Sequence, residues 1–325
     1  MTNPVLVDVL RGDFVESRHR GSFAVCDAKG AIVAQTGDIE SPVYPRSAIK
    51  AFQCLPLLES GGADHYGLSD DEICLCCSSH NGEEDHVRVA RSILQKADVD
   101  EVCLECGVHW PSARDAAYAL VREGKPALQV HNNCSGKHAG MLMMARHLKV
   151  DTKGYVGVDH TIQKGVADAL SRYCEVDISR APMGIDGCSV PTWAMPLKNL
   201  AKGFAKLSGD AAGKRIAKAV RGNPFLVAGT SRFDTRIMEA VPRLFIKVGA
   251  EGVFCGFIAH AGLGFALKCD DGATRGTEVA IAFILAKLDI WTSEEQAALH
   301  GFGSETQKNW RRIEVGEIRA AIYPA

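Results

Sequence analysis

The sequence is short of the features that mark most specialised protein classes. It has no surplus of either charge: 37 Lys and Arg stand against 39 Asp and Glu, a formal charge of −2. A pI near 6.6 gives no general attraction to phosphate backbones, so no nucleic-acid partner is expected. No apolar run approaches the ~18 residues that a membrane-crossing helix needs, so no membrane partner is expected. The opening MTNPVLVDVLRGDF lacks a basic stretch followed by an apolar one. No secretory leader is expected, and the expected location is cytoplasmic. Walker A loops, G-x-G-x-x-G turns after a strand, basic patches with interleaved aromatics, internal repeats and low-complexity linkers are all missing. A 46% hydrophobic and 23% charged composition excludes disorder and indicates a globular fold.

What the chain does have is cysteine: 12 in 325 residues. Without a leader they are expected to be reduced, acting as small buried hydrophobes, with a subset binding metal or doing chemistry. Cys103 and Cys106 have C-x-x-C spacing but lack a second such pair or a His-rich partner, so they read as core residues.

Apolar alternation marks a meander at the N-terminus, in the runs 5–9, 22–26 and 31–34, with Asp27 to Gly30 as a hairpin connection. A helix is expected from Arg46 or Ser47 to the glycines after Ser60. Helical spacing recurs at 83–97, 113–123, 135–148, 161–173, 192–207 and 211–220, and Ser69 to Glu72 reads as a capping box. Strand patterns return at 244–248, 253–258 and 264–268, followed by a helix over 274–288 and a strand over 312–322. Strands at both ends and helices between predict an α+β protein, with a mainly antiparallel sheet built from N- and C-terminal strands and packed with helices from the middle of the chain. The expected organisation is a single catalytic unit over 1–325, softly divided into a sheet region (1–45 and 243–325) and a mostly helical region (46–242).

Four constellations could carry chemistry. In Pro45-Arg46-Ser47-Ala48-Ile49-Lys50, Ser47 and Lys50 fall within reach on one helical face. A serine hydroxyl needs a base, and a lysine serves as one when burial or a second cation lowers its pKa. The segment CCSSHNGE places Ser79 at a helix–loop–helix corner. On a strand pattern, KVGAEG places Lys247 ahead of a glycine. Ser47/Lys50, Ser79 and Lys247 thus follow the order of the S-x-x-K, middle-serine and K-x-G elements of serine β-lactamases. Finally, NNCSGKHAG and GIDGCSVP each put a cysteine in a Gly-rich turn. Two thiolates with a nitrogen ligand would make a zinc site with an open position.

Taken together, PRSAIK, CCSSHNGE, NNCSGKHAGM, GIDGCSVPT and KVGAEG closely resemble the rhizobial-type L-asparaginases, the class 3 or asparaginase II family. The resemblance runs over most of the chain. It implies a serine β-lactamase/glutaminase-like fold and hydrolysis of L-asparagine to L-aspartate and ammonia through an acyl-enzyme. It implies two catalytic Ser–Lys pairs, Ser47 with Lys50 and Ser79 with Lys247, with Lys268 competing for the last place and Ser47 favoured over Ser79 as nucleophile. It implies zinc held by Cys134, Lys137 and Cys188 and supporting substrate binding, with Arg46, His138 and Asp186 flanking the substrate, and a homodimer. A glutaminase or β-lactamase-like amidase or esterase is the alternative enzyme. A non-catalytic metal-binding or thiol-redox protein is the alternative of another class.

Overall fold

The computed structural model describes residues 2–321; Met1 and residues 322–325, including the last position of the strand expected to end at Ile322, lie outside the described residues. The protein is α+β and divides into two compact units. A sheet unit comprises Met1–Ala48, Met195–Ser208 and Ile237–Ala325, and a helical unit comprises Ile49–Ala194 and Gly209–Arg236. One boundary therefore falls between Ala48 and Ile49, inside the Ser-x-x-Lys segment.

In the sheet unit, eight strands form one antiparallel sheet: β1 (Val5–Arg11), β2 (Phe14–Asp27), β3 (Ile32–Thr36), β4 (Leu244–Gly249), β5 (Val253–Ile258), β6 (Leu263–Cys269), β7 (Ser304–Lys308) and β8 (Glu314–Ala320). The order is β7-β8-β1-β2-β6-β5-β4, with β3 pairing β2. Strands from the two ends of the chain meet twice, β1 against β8 and β2 against β6. β2 runs 14 residues where alternation marked only its second half; its first half is mostly polar and, His19 apart, reaches solvent, and pairing with β1 holds it. The Asp27 carboxylate accepts from the Lys29 and Ala31 amides and closes the expected hairpin.

The register fixes one face of this sheet. Phe245, Lys247 and Gly249 lie beside Phe257, Cys255 and Val253, and these beside Gly264, Ala266 and Lys268. Side chains alternate along a strand, so these residues share a side. Helix Leu197–Gly209 lies on it. A Cβ at Gly264 would sit 2.0 Å from the Ala201 carbonyl, and Phe204 meets Phe245 at 6.3 Å between ring centroids. This helix starts later than the spacing predicted, because Pro191–Trp193 and Met195–Pro196 are spent on short strand pairings. Helix Thr274–Ala286 packs across β8, β1, β6 and β5.

The helical unit is built on the expected helices. Asp70–Cys76 carries its capping box, and Ser135–Leu148 packs against it at Gly136 and Gly140. A Cβ at Gly136 would sit 2.4 Å from the Leu75 carbonyl, and one at Gly140 would sit 2.8 Å from the Cys76 sulfur. The spacing of NNCSGKHAG therefore includes a close helix crossing as well as candidate ligands. A hairpin of Met183–Ile185 and Pro191–Trp193, not expected from the sequence, carries Asp186 and Cys188 in its turn.

Candidate active site

In the sheet unit, Ser47 belongs to a 3-10 turn, Arg46–Ile49, that runs into the α-helix Lys50–Glu59. Ser47 is half-buried. Arg46, next to it, has φ +52°, a left-handed conformation that costs a non-glycine residue about 1–3 kcal/mol and is common beside reacting groups. The Ala48 amide is bonded to the Pro45 carbonyl at 3.1 Å. Gly249 of β4 presses on this turn: a Cβ there would lie 2.4 Å from the Pro45 carbonyl and 3.2 Å from the Ala48 nitrogen. The glycine of K-x-G is thus what lets the Ser47 turn lie on the sheet. Lys247, two residues back and on the same face, is 1% exposed and donates to the Val248 carbonyl at 3.0 Å. Lys268 shares that face. It is half-buried, donates to the Glu251 carbonyl, and burial lowers its pKa despite nearby acids.

In the helical unit, Lys50 is fully buried. Its ammonium donates to the Ser78 carbonyl and, at 3.2 Å, to the Asn133 carbonyl. One lysine thus joins the CCSSHNGE and NNCSGKH segments. The first is threaded against the second and against 227–228: the Ser79, His80 and Asn81 amides donate to the carbonyls of Val227, Asn133 and Ala228. Ser79 Oγ is buried and has no hydrogen-bond partner among the described residues, a state that costs stability. His80 Nδ1 accepts from the Gly82 amide, so its Nε2 is the donor to Ser135 Oγ at 3.0 Å. Burial first, and then neighbouring cations and rings, hold this histidine's pKa well below the ordinary value.

Cys134, Lys137 and Cys188 converge as a buried set. Lys137 Nζ donates to Cys188 Sγ at 2.9 Å. The Cys134 thiol lies well below the usual thiol range chiefly because the Cys188 thiol donates to it; burial opposes this, and Lys50 and Lys137 reinforce it. Cys188 is pushed up by that same bond and by burial. Burial opposes the Lys137 charge, but the two sulfurs hold its pKa above the ordinary value. Asn132 shapes the turn: its carbonyl takes the Cys134 amide, and its Nδ2 bonds the Cys106 and Gly107 carbonyls. No group of three or more His, Cys, Asp or Glu among the described residues could hold a metal ion. The Cys134–Lys137–Cys188 set is of another kind, with two sulfurs and an amine. The two sulfurs are donors that zinc accepts as thiolates, and the amine could join them only after giving up the proton it donates to Cys188. Asp186 adds negative charge near Lys137. His138 is fully buried, its pKa held well below the ordinary value by burial and then by Lys137 and Lys50.

Sequence reasoning missed several partners. The segment Leu226 to Arg232, LVAGTSR, docks within the helical unit on Asn81-Gly82-Glu83. Arg232 donates to Asn81 Oδ1 at 2.9 Å, and Glu83 accepts from the Thr230 amide at 2.8 Å and its hydroxyl at 2.6 Å. Tyr155, bonded to His138 at 2.6 Å, carried no local signal, since it lies in an irregular stretch without a motif.

The family model for L-asparaginase II matches residues 7–320. No curated protein matches. Among solved structures, a crystal structure of Mglu in its tris and glutamate form is 13% identical, with a TM-score of 0.40; the match covers 89% of this chain and 65% of that one. A β-lactamase from Mycobacterium bovis is 11% identical, with a TM-score of 0.27, over 87% of this chain and 95% of the other. The chain thus spans about two thirds of the length of the Mglu chain it matches. Spanning nearly its whole length, the family match identifies this chain as a member of the L-asparaginase II family.

Proposed function

We propose that this protein is an amidohydrolase that converts L-asparagine to L-aspartate and ammonia by Ser–Lys nucleophilic catalysis. One observation carries the reading: a fully buried lysine, three residues after Ser47, whose ammonium bonds the backbone of both motif segments at Ser78 and Asn133. An amine takes a hydroxyl proton only in its neutral form, and the reading assigns that role to Lys50.

Ser47 Oγ attacks the side-chain amide carbon, and Lys50 takes its proton. Backbone N–H groups stabilise the oxyanion; the Ala48 amide is not among them, because Pro45 holds it. The leaving nitrogen takes a proton from the second pair, Ser79 and Lys247, ammonia departs, and water resolves the acyl-enzyme. We take Lys247 over Lys268 because it is the buried lysine on the strand whose glycine seats the Ser47 turn. Arg46, His138 and Asp186 are taken as substrate-flanking residues. Zinc, held by Cys134, Lys137 and Cys188, would supply positive charge that orients the substrate. A homodimer and a cytoplasmic location belong to the same reading.

Ammonia release from L-asparagine tests it, run beside L-glutamine and a chromogenic β-lactam. Asparagine turnover that falls by about 10² or more in Ser47→Ala supports the reading. Equal turnover by that variant, or a preference for either competing substrate, overturns it. Metal analysis of the same samples is expected to find zinc in the wild type and to lose it in Cys134→Ser and Cys188→Ser. Sedimentation is expected to give twice the chain mass.

A further inference from the structure

Helix Arg114–Arg122 of the helical unit is formed but hardly packed. None of its nine residues is buried. A helix this short is marginal in water by itself, below the ~12–15 residues at which isolated helices begin to hold, so packing has to supply its stability. The unit gives it little to pack on. Ala119 and Leu120, on its inner flank, face a groove of about 790 Å³ whose other wall includes Val87 and Arg91 of helix Glu84–Lys96. Tyr118 and Val121 lie on the outer flank, beside Asp115 and Arg122, and are 59% and 61% exposed.

The chain on either side has the same character. Val102, Val108, Trp110 and Leu128 are exposed as well, so the stretch 102–128 carries six exposed large apolar side chains. Monomeric proteins rarely leave apolar patches of more than a few hundred Å² open to water. These six present surface on the order of 700 Å², close to the roughly 800 Å² per partner that a stable interface covers.

The charges on the outer flank say what fits it. Asp115, Tyr118 and Arg122 follow one another at steps of three and four, so they share a face, with an acid at its N-terminal end and a base at its C-terminal end. A mixed face of this kind gains nothing from an anionic bilayer or a nucleic acid, which reward one sign of charge. It is complementary to itself turned end to end. Two copies laid antiparallel about a twofold axis bring Asp115 of each to Arg122 of the other, and Arg114 of each to Glu123 of the other, with the tyrosines near the axis. The Asp115 side chain is 87% exposed and open to such a partner.

We propose that helix Arg114–Arg122 is the contact through which two copies of this chain associate, packed antiparallel across a twofold axis with Tyr118 and Val121 at its centre and the Asp115–Arg122 pairs at its ends. The inference rests on the homodimer of the reading above and on none of its chemistry.

Sedimentation equilibrium of the full-length chain over a dilution series tests it. The wild type is expected at twice the chain mass. Val121→Glu, which sets a charge in the apolar centre, should sediment at the chain mass while its circular dichroism stays that of wild type. Trp310, 104% exposed in the sheet unit, supplies the control: Trp310→Glu also removes exposed apolar surface and should stay at twice the chain mass. Asp115→Arg and Arg122→Asp should each raise the Kd of self-association about tenfold, because twofold symmetry makes every like-charge contact occur twice. The double variant, which exchanges the two charges, should return to within a few-fold of wild type. A dimeric Val121→Glu, or a monomeric Trp310→Glu, overturns the proposal and leaves the homodimer standing. A double variant no better than the single ones overturns the antiparallel pairing. A wild type at the chain mass throughout overturns the proposal and the homodimer together, and ammonia release by the same samples judges the amidohydrolase reading separately.

Discussion

The sheet unit and the helical unit bury different things. The interior of the sheet unit is apolar, with His19, Ser22, Ser208, Lys247 and Thr277 as its buried polar residues. The helical unit encloses two lysines, four histidines, Ser78, Ser79, Asn81, Asn132 and Ser135, and most of the cysteines. The difference follows from the backbone. A sheet satisfies its own N–H and C=O groups, so its side chains can be purely apolar. The helical unit brings irregular segments inside, at 77–83, 131–134 and 227–230, and their carbonyls and amides need partners. Lys50 on two carbonyls, Asn132 on two more and Arg232 on Asn81 are those partners. One unit therefore serves as a frame that presents a turn and a lysine, and the other is a polar interior.

That contrast can be broken at Ser47 and Lys50, three residues apart and on opposite sides of the unit boundary. Ser47→Ala removes a half-buried hydroxyl and should leave thermal stability near that of wild type, while ammonia release falls by about 10² or more. Lys50→Met should abolish activity too, but it also strands the Ser78 carbonyl and leaves the Asn133 carbonyl with the His80 amide alone, at a cost of roughly 1–3 kcal/mol in denaturant unfolding. If both variants were equally stable, Lys50 would not be a structural partner of the irregular segments, and the contrast between the units would lose its main support.

The frame side is sharpened at Gly249. Adding one methyl there drives it into the Pro45 carbonyl at 2.4 Å, and a strand and a turn must separate. Gly249→Ala should cost about 1–3 kcal/mol and, by moving the Ser47 turn, should lower kcat by more than tenfold. Full activity in Gly249→Ala would mean that the sheet does not position Ser47. Ser79→Ala makes the opposite test in the helical unit. Its hydroxyl is buried without a partner, so its removal should leave stability unchanged or raise it by up to about 1 kcal/mol, while activity drops. A clear loss of stability would show that Ser79 is an ordinary structural serine.

How far each unit was legible in the sequence follows the same division. Periodicity reports regular structure, so β4, β5 and β6 and the helix Ser135–Leu148 were readable nearly to the residue. The first half of β2 was not, because its side chains are mostly polar and solvent-reaching, without an apolar alternation, and pairing with β1 makes it a strand. The Asp186–Cys188 hairpin was not, since three-residue strands are too short to show alternation. In the candidate site, motifs with punctuation stood out: Ser47 beside Pro45, and Cys134 beside Gly136. Partners supplied by distant irregular chain did not. The segment from Leu226 to Arg232 docks on Asn81-Gly82-Glu83, about 150 residues away in sequence, and no local pattern encodes that pairing. Tyr155 is the extreme case, a single aromatic in a loop that becomes informative only when its hydroxyl is seen on His138.

The smallest expected effect lies in the sheet unit, far from chemistry in kind. Arg243 holds Glu295 through two bonds, one of 2.8 Å, and this bond more than any other draws the carboxyl pKa down to about 2. A carboxyl whose folded pKa lies below its unfolded value binds fewer protons when folded. Its contribution is therefore complete above the unfolded pKa, near 4.3, and is lost as pH falls from there through about 2. Arg243 is partly exposed, so water and salt screen the pair, and the contribution at neutral pH is about 1 kcal/mol. Glu295→Gln should accordingly be less stable than wild type by about that much at pH 7, with the gap narrowing below pH 4 and closing near pH 2. Urea unfolding at a series of pH values reads it directly. A gap that stayed constant across that range would assign the loss to the helix cap at Thr292, whose hydroxyl takes the Glu295 amide while Glu295 takes the Thr292 amide, and not to the charge. In the helical unit the buried Glu72 carboxylate is a pair of the same kind, held by Lys96 at 2.6 Å with its pKa drawn down against the cost of burial, whereas Lys50→Met should keep its deficit down to the same pH, because backbone carbonyls do not titrate.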